Sequence, residues 1–120
     1  MALRHPQSAR LLRPADFVRL RESGRRLNAQ QLSIQFLKRD VPGARLGMAV
    51  SRRVSKLAVV RNRIRRQIRE SFRLHRARLP ACDIVVSARP SAATQTNAQL
   101  RADLDALWSR LAAQDTAIER

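Results

Sequence analysis

Three segments of the chain have the apolar spacing of amphipathic helices. The first is residues 14–23, where proline suits the first helical position and Gly24 is a natural stop. The second covers about residues 57–79, and the third follows "TNAQ" at residues 96–99, which matches a capping box. The third helix has apolar residues at helical spacing, which we assign to the core, with base stacking as the alternative for the tryptophan: Leu100, Leu104, Leu107, Trp108 and Leu111.

Other segments have the character of strands. Residues 32–36 and 45–50 alternate apolar and polar positions, and residues 83–89 are rich in β-branched side chains. "DVPG" at residues 40–43 predicts a turn, and a short strand is expected near residues 25–27. The face of this strand opposite Leu46, Met48 and Val50 carries unusually small residues, which either pack in the sheet or leave room for a ligand beside the backbone: Gly47, Ala49 and Ser51.

The predicted order of elements is α-β-β-β-α-β-α, which is a small α+β sandwich with helices packed on a sheet. Hydrophobic residues make up 44% of the chain, which is enough for one buried core. We therefore expect a single domain over residues 1–120. Its ordered core should span about residues 9–112, between a flexible N-terminal arm and a flexible C-terminal tail.

The charge of the chain is strongly positive and unevenly distributed. The formal net charge is +16, and 23 of the 25 basic residues are arginine. Residues 1–82 hold 21 of these basic residues against four acidic ones, whereas residues 83–120 hold four against five. This imbalance indicates a polyanionic partner that binds the first two thirds of the chain.

The second predicted helix concentrates this charge on one face. The stretch "RNRIRRQIRESFR" at residues 61–73 has six arginines and a single acid, Glu70. Winding the helix at 100° per residue gathers an apolar stripe of Ile64, Ile68, Phe72 and Leu79, with His75 within it. An adjacent face gathers the polar residues Asn62, Arg65, Arg66, Arg69, Arg73 and Arg76. Because like charges on one face repel, the pattern favours phosphate binding over its alternatives, a solvated helix face and a membrane-surface helix.

Candidate catalytic chemistry is sparse. His5 lies in the N-terminal arm and His75 in the apolar stripe, and the single cysteine, Cys82, is expected to be a buried structural thiol. No carboxylates have metal-clamp spacing, there is no phosphate-binding glycine loop, and no apolar run approaches the roughly 20 residues of a membrane span. We therefore predict no catalytic and no metal-ligating side chains, in a cytoplasmic protein with no membrane partner and no obligate protein partner.

The stretch from Ser51 to Arg73, "SRRVSKLAVVRNRIRRQIRESFR", resembles the signature of the bacterial ribonuclease P protein component. In that family a small-residue strand ends in serine and two basic residues, and an Ala-Val-x-Arg-Asn-Arg-Ile-basic-Arg helix follows. The resemblance continues through "RPADFVRLRESGRR", "LPACDIVVSARP" and "LDALW". It covers about residues 9–112.

The resemblance implies a left-handed β-α-β crossover around the arginine helix, an exception to the usual right-handed rule. It also implies the small subunit of a ribonucleoprotein endoribonuclease that removes the 5′ leader from precursor tRNA. The chemistry would belong to the RNA subunit and its Mg²⁺ ions. The residues expected to bind the catalytic RNA are Arg52, Lys56, Arg61, Asn62, Arg63, Arg65, Arg66, Arg69 and Arg73.

The same resemblance implies a cleft between the first helix and the open sheet face, which holds the single-stranded leader. Its expected residues are Phe17, Arg21, Gln35, Ala49, Ser51 and Arg53. Arg21 and Gln35 stand where relatives often place aromatic residues, so base stacking should be weaker here. Arg21 is expected to compensate by stacking its planar group or by pairing with phosphate. Phe17 has a second interpretation, as a core anchor of the first helix.

Two rival functions fit the same residues. One is a ribosomal or other structural RNA-binding protein that uses the same basic helix. The other is a nuclease that cleaves RNA without an RNA subunit and uses His75. Leader-dependent binding to precursor tRNA separates the first rival from a ribonuclease P subunit, and cleavage by the protein alone separates the second.

Overall fold

The computed structural model describes residues 13–118, with side-chain surroundings as far as Gln114. The helices and strands of this part of the chain follow the predicted order, and the α+β class is confirmed. Their bounds are α1 Pro14–Ser23, β1 Arg25–Asn28, β2 Leu32–Lys38, β3 Arg45–Ala49, α2 Ala58–His75, β4 Cys82–Ala88 and α3 Asn97–Ile118, with short 3-10 helices at Arg76–Arg78 and Pro90–Thr94. The predicted N-terminal arm, with His5, lies outside the described residues.

The four described strands form one sheet in the spatial order β1-β2-β4-β3. β2 pairs antiparallel with both β1 and β4, whereas β3 is parallel to β4. Parallel neighbours need a crossover connection, and α2 lies in the connection between β3 and β4. The register aligns one residue from each strand in a row across the sheet, which we call the small-residue row: Asn28, Ser33, Ser87 and Ala49.

The hydrophobic core lies between one face of the sheet and helices α2 and α3. Its buried residues include Ile34, Ile84 and Val86 from the sheet, Ile64, Ile68 and Phe72 from α2, and Leu100, Leu104, Leu107, Trp108 and Leu111 from α3. The apolar stripes predicted for both helices are confirmed. Trp108 packs edge-on against Phe72, with ring centroids 6.1 Å apart, and donates its Nε1–H to Ser71 Oγ at 2.9 Å. The tryptophan therefore belongs to the core and is not a base-stacking residue.

The second helix ends earlier than the prediction. α2 stops at His75, a 3-10 turn follows, and Leu79 has extended backbone with ψ 147°. Pro80 accounts for this conformation, because a proline disfavours helical backbone at the residue before it. Leu79 is nevertheless buried in the core, as the apolar stripe predicted.

The third helix begins with the predicted capping box. Thr96 Oγ1 accepts the N–H of Gln99 at 3.1 Å, and Gln99 Oε1 accepts the N–H of Thr96 at 2.8 Å. These two bonds satisfy backbone donors that the first helical turn leaves unpaired. The helical backbone then continues to Ile118, past residue 112, where the ordered core was expected to end.

Helix α1 lies on the opposite face of the sheet and is fixed there by buried charge. Asp83 of β4 is fully buried and accepts two hydrogen bonds from Arg45 of β3, at 2.8 and 2.9 Å. Nη2 of Arg45 also lies 3.2 Å from Oδ1 of Asp16 in α1, and Arg19 of α1 reaches Asp83 at 3.3 Å. These ion pairs anchor α1 where β3 and β4 begin, whereas the small-residue row lies toward the other end of these two strands.

Candidate nucleic-acid interface

The exposed side of α2 and the preceding loop carry cationic groups that are available to a partner. Arg66 and Arg69 are exposed, and neither makes a hydrogen bond or an ion pair with any other described residue. Arg52 and Lys56, between β3 and α2, are also exposed, and their side chains contact no polar partner within residues 13–118. These four predicted RNA-binding residues present their full charge to solvent.

Two other predicted RNA-binding arginines, Arg63 and Arg73, make hydrogen bonds within the protein. Arg63 donates to Asn97 Oδ1 at 2.9 Å and to the carbonyl of Ala93 at 3.2 Å, so it faces the start of α3. Arg73 pairs with Glu70 on the same helix, and this hydrogen bond lowers the pKa of Glu70. A guanidinium group has five N–H donors, so these contacts orient the two arginines and leave donors for a further partner.

The remaining two arginines of the motif bond to the loop that precedes α2. Arg65 donates Nη2–H to the carbonyl of Val50 at 2.8 Å and Nη1–H to Asn62 Oδ1 at 3.1 Å. Arg61 donates to the carbonyl of Ser55 at 3.0 Å. The predicted set of arginines is therefore divided between groups that face solvent and groups that hold the backbone of the protein.

An open groove of about 420 Å³ lies on the same sheet face as α1. Its floor includes three members of the small-residue row, Ser33, Ala49 and Ser87, together with Ser51, Ala88 and Pro90. Its edges carry three guanidinium groups, from Arg26, Arg53 and Arg89. A basic edge around a low floor suits a single strand of nucleic acid, because the charges follow the backbone and the floor admits the bases.

The groove brings together half of the predicted leader-binding residues, namely Ala49, Ser51 and Arg53. Gln35 is not among the lining residues. It lies two positions along β2 from Ser33, on the same face of the sheet, and its Cγ is close to Gly24 at the end of α1.

Phe17 and Arg21 are also outside the groove lining, and both belong to α1, which packs on the same face of the sheet. On a helical wheel at 100° per residue, Asp16 lies on one side of the buried Leu20, and Phe17 and Arg21 lie on the other side. Asp16 contacts Arg45. Phe17 is half-buried and Arg21 is exposed. Helix α1 therefore shares a sheet face with the groove, and the assignment of Phe17, Arg21 and Gln35 to a leader-binding cleft stays a prediction.

Sequence reasoning missed six residues of the groove lining, which are Arg26, Ser33, Ser87, Ala88, Arg89 and Pro90. Arg26 Nη1 lies 3.5 Å from Ser33 Oγ, and Arg89 donates to the carbonyl of Ala29 at 2.8 Å and so holds the turn between β1 and β2. Strand periodicity by itself shows only which face of its own strand Arg26 or Ser33 occupies. Only the pairing of β2, β4 and β3 shows that residues distant in the sequence share one floor.

The described residues contain no group of three or more His, Cys, Asp or Glu side chains that could hold a metal ion. His75 Nδ1 lies 2.8 Å from the carbonyl of Ser71, and its Nε2 lies 3.6 Å from Asp105, so the ring is located between α2 and α3 and not at the groove. Cys82 is buried, as predicted. None of the helices within residues 13–118 has both the length and the apolar character needed to cross a bilayer.

An arginine-faced helix beside a guanidinium-edged groove defines a small basic α+β protein suited to bind a polyanion. The family model for ribonuclease P matches residues 5–112 of the chain. The ribonuclease P protein component of Thioalkalivibrio sulfidiphilus is 39% identical over 106 residues, which are 88% of each chain. That of Desulfovibrio desulfuricans is 44% identical over 112 residues, which are 89% of this chain and 85% of the relative. The chain therefore belongs to the ribonuclease P protein family and takes part in tRNA processing.

Solved structures agree with this assignment. The ribonuclease P protein of Staphylococcus aureus superposes with a TM-score of 0.77 at 33% identity, covering 82% of this chain and 91% of that one. The protein from Thermotoga maritima superposes with a TM-score of 0.75 at 29% identity, covering 83% and 96%.

Proposed function

We propose that this protein is the subunit of a cytoplasmic ribonuclease P that binds both the catalytic RNA and the 5′ leader of precursor tRNA. The free cationic groups on α2, above all Arg66 and Arg69, contact phosphates of the catalytic RNA. The groove edged by Arg26, Arg53 and Arg89 takes the leader as a single strand. The observation that supports this division is the groove itself, which is separate from the exposed side of α2 but adjoins the same loop.

In this proposal the RNA subunit carries out cleavage, and Mg²⁺ bound by that RNA would supply the Lewis-acid chemistry. The protein side chains hold the substrate and reduce phosphate repulsion. No protein group in the described residues is arranged as a general base beside the groove, since His75 is packed between helices. The contacts of His75 with α2 and α3 support this proposal over a nuclease that uses His75 without an RNA subunit.

The test uses the protein assembled with its catalytic RNA and compares binding of precursor tRNA with binding of mature tRNA. Ala49→Glu places a carboxylate on the exposed part of the groove floor. We expect this variant to lose the preference for leader-bearing tRNA while it retains its affinity for the catalytic RNA. Ala102→Glu, at an exposed position of α3, makes the same change in charge and should leave the leader preference intact.

Equal affinity of the wild-type complex for precursor and mature tRNA would overturn the leader-binding proposal and would favour a purely structural RNA-binding role. Cleavage of precursor tRNA by the protein freed of RNA, abolished by His75→Ala, would instead show an autonomous nuclease. Loss of leader preference in Ala49→Glu but not in Ala102→Glu supports the groove.

A further inference from the structure

The loop between β3 and α2, residues 50–57, joins the two proposed RNA-binding surfaces. Its three cationic residues, Arg52, Arg53 and Lys56, surround one shallow hollow of about 370 Å³. Arg53 is at the same time an edge of the leader groove. The conformation of this loop therefore determines where these three cationic side chains lie relative to both surfaces.

The loop has few interactions of its own to fix that shape. Its backbone makes a turn in which the N–H of Val54 bonds to the carbonyl of Ser51 at 3.0 Å, and Val54 is buried in the core. The N–H groups of Arg53 and Leu57 bond to hydroxyls of Ser51 and Ser55. No acidic residue occurs in residues 50–66, so repulsion among the cations of the loop is not offset by a local carboxylate.

Two arginines of α2 hold the loop from both ends. Arg65 donates to the carbonyl of Val50, where the loop begins, at 2.8 Å. Arg61 donates to the carbonyls of Ser55 and Lys56, where it ends, at 3.0 and 3.1 Å. Hydrogen bonds from a charged donor are stronger than neutral ones, so each contact restrains the loop more than a backbone bond would.

We propose that Arg61 and Arg65 act as positioning residues for the leader groove: by bonding to the carbonyls of the 50–57 loop they hold Arg52, Arg53 and Lys56 around a phosphate site through which the leader backbone enters the groove. This inference rests on the proposed function and assigns to Arg65 a role that its charge alone does not supply. Arg66, the next residue, is exposed without a described polar partner and binds RNA by charge alone.

Arg65→Lys separates the two roles, because it retains the positive charge but not the fork that reaches both Val50 and Asn62. In the complex with the catalytic RNA, we measure the affinity for precursor tRNA with a leader of several nucleotides and with a leader of one nucleotide. Arg65→Lys should reduce the advantage of the long leader by about tenfold, the effect of losing a charged hydrogen bond, with little change in affinity for the catalytic RNA. Arg66→Gln should weaken binding of the catalytic RNA and leave the advantage of the long leader unchanged.

Amide hydrogen exchange gives a readout that does not depend on RNA. Arg65→Lys should accelerate exchange at Val54 and Leu57 in the free protein, whereas Arg66→Gln should not, and both variants should retain the exchange protection of β4. An unaltered leader advantage and unaltered exchange in Arg65→Lys would overturn the inference, and so would parallel effects of the two substitutions. If the wild-type complex itself shows no advantage for the long leader, the proposed function fails instead.

Discussion

Arg45 and Asp83 form a two-pronged ion pair across adjacent parallel strands, with Nε and Nη2 of the arginine 2.8 and 2.9 Å from the two carboxylate oxygens. Both side chains are buried, and Asp83 is fully inaccessible. The hydrogen bond to Asp83 is the main cause that raises the pKa of Arg45 above its ordinary value, and burial opposes it. Because Arg45 also contacts Asp16, this pair connects α1 to the sheet.

Replacing Asp83 with asparagine should destabilise the fold strongly. The substitution keeps the volume but leaves the buried charge of Arg45 without its main partner, and breaking a buried pair in this way costs about 3–5 kcal/mol. Urea unfolding followed by the fluorescence of Trp108 measures the loss. Glu70→Gln, which breaks the exposed pair with Arg73, is the control and should barely move the unfolding midpoint. Similar midpoints for the two variants would contradict the role given to Asp83.

The stability of the protein should fall in acid partly through Asp16. Burial raises the pKa of Asp16, but the backbone N–H of Arg13 and the charges of Arg45 and Arg13 outweigh it, so the pKa lies below its ordinary value. The carboxylate therefore stabilises the folded state above the unfolded pKa, about 4, and this contribution is lost as the pH falls through the folded pKa.

The measurement that checks this is the free energy of unfolding of wild type and Asp16→Asn as a function of pH. The variant should be less stable at pH 7, and the difference should shrink as the pH falls below about 4. A difference that is constant between pH 7 and pH 3 would show that Asp16 acts through shape or neutral hydrogen bonding alone.

Arg66→Ala and Arg69→Ala should weaken binding to the catalytic RNA and reduce its salt dependence. For each phosphate that the protein no longer neutralises, the slope of log K against log salt should fall by about 0.7–0.9. Arg110→Ala, at an exposed position of α3 whose side chain contacts Asn28 of β1, removes the same charge and should leave the slope unchanged. If all three variants alter the slope equally, only the net charge matters and the exposed side of α2 has no special role.

Phe17→Ala should reduce affinity for leader-bearing tRNA by about 1–3 kcal/mol if the half-buried ring stacks on a base. Val18→Ala, at the next position on α1 and 44% exposed, should have no such effect. Thermal melting decides the alternative interpretation. A large loss of melting temperature with normal leader affinity would assign Phe17 to the packing of α1.

The bounds of α1 illustrate what local chemistry can predict. Pro14 and Gly24 place the helix at Pro14–Ser23, and the structure confirms both ends. The reason for the glycine is nevertheless tertiary as well as local. Its φ is −74°, open to any residue, but a Cβ at this position would lie 2.5 Å from the carbonyl oxygen of Leu20 and 3.2 Å from Cγ of Gln35.

The candidate site was predicted in composition but not in arrangement. The run of arginines in residues 61–73 and the small residues that end β3 are readable in the sequence, because helical and strand periodicity depend only on neighbours a few positions apart. Which arginines face solvent is not readable there. Arg65 bonds to a carbonyl fifteen residues away and Arg63 to an amide thirty-four residues away, and such partners exist only once the chain has folded.

Local patterns therefore established the helices, the strands, the apolar stripes and the excess of positive charge, since each depends on side chains close together along the chain. The groove, its edge residues Arg26 and Arg89, and the buried pair of Arg45 and Asp83 arise from strand pairing and from the packing of α1. These contacts join residues far apart in sequence, and their geometry is set by the whole fold.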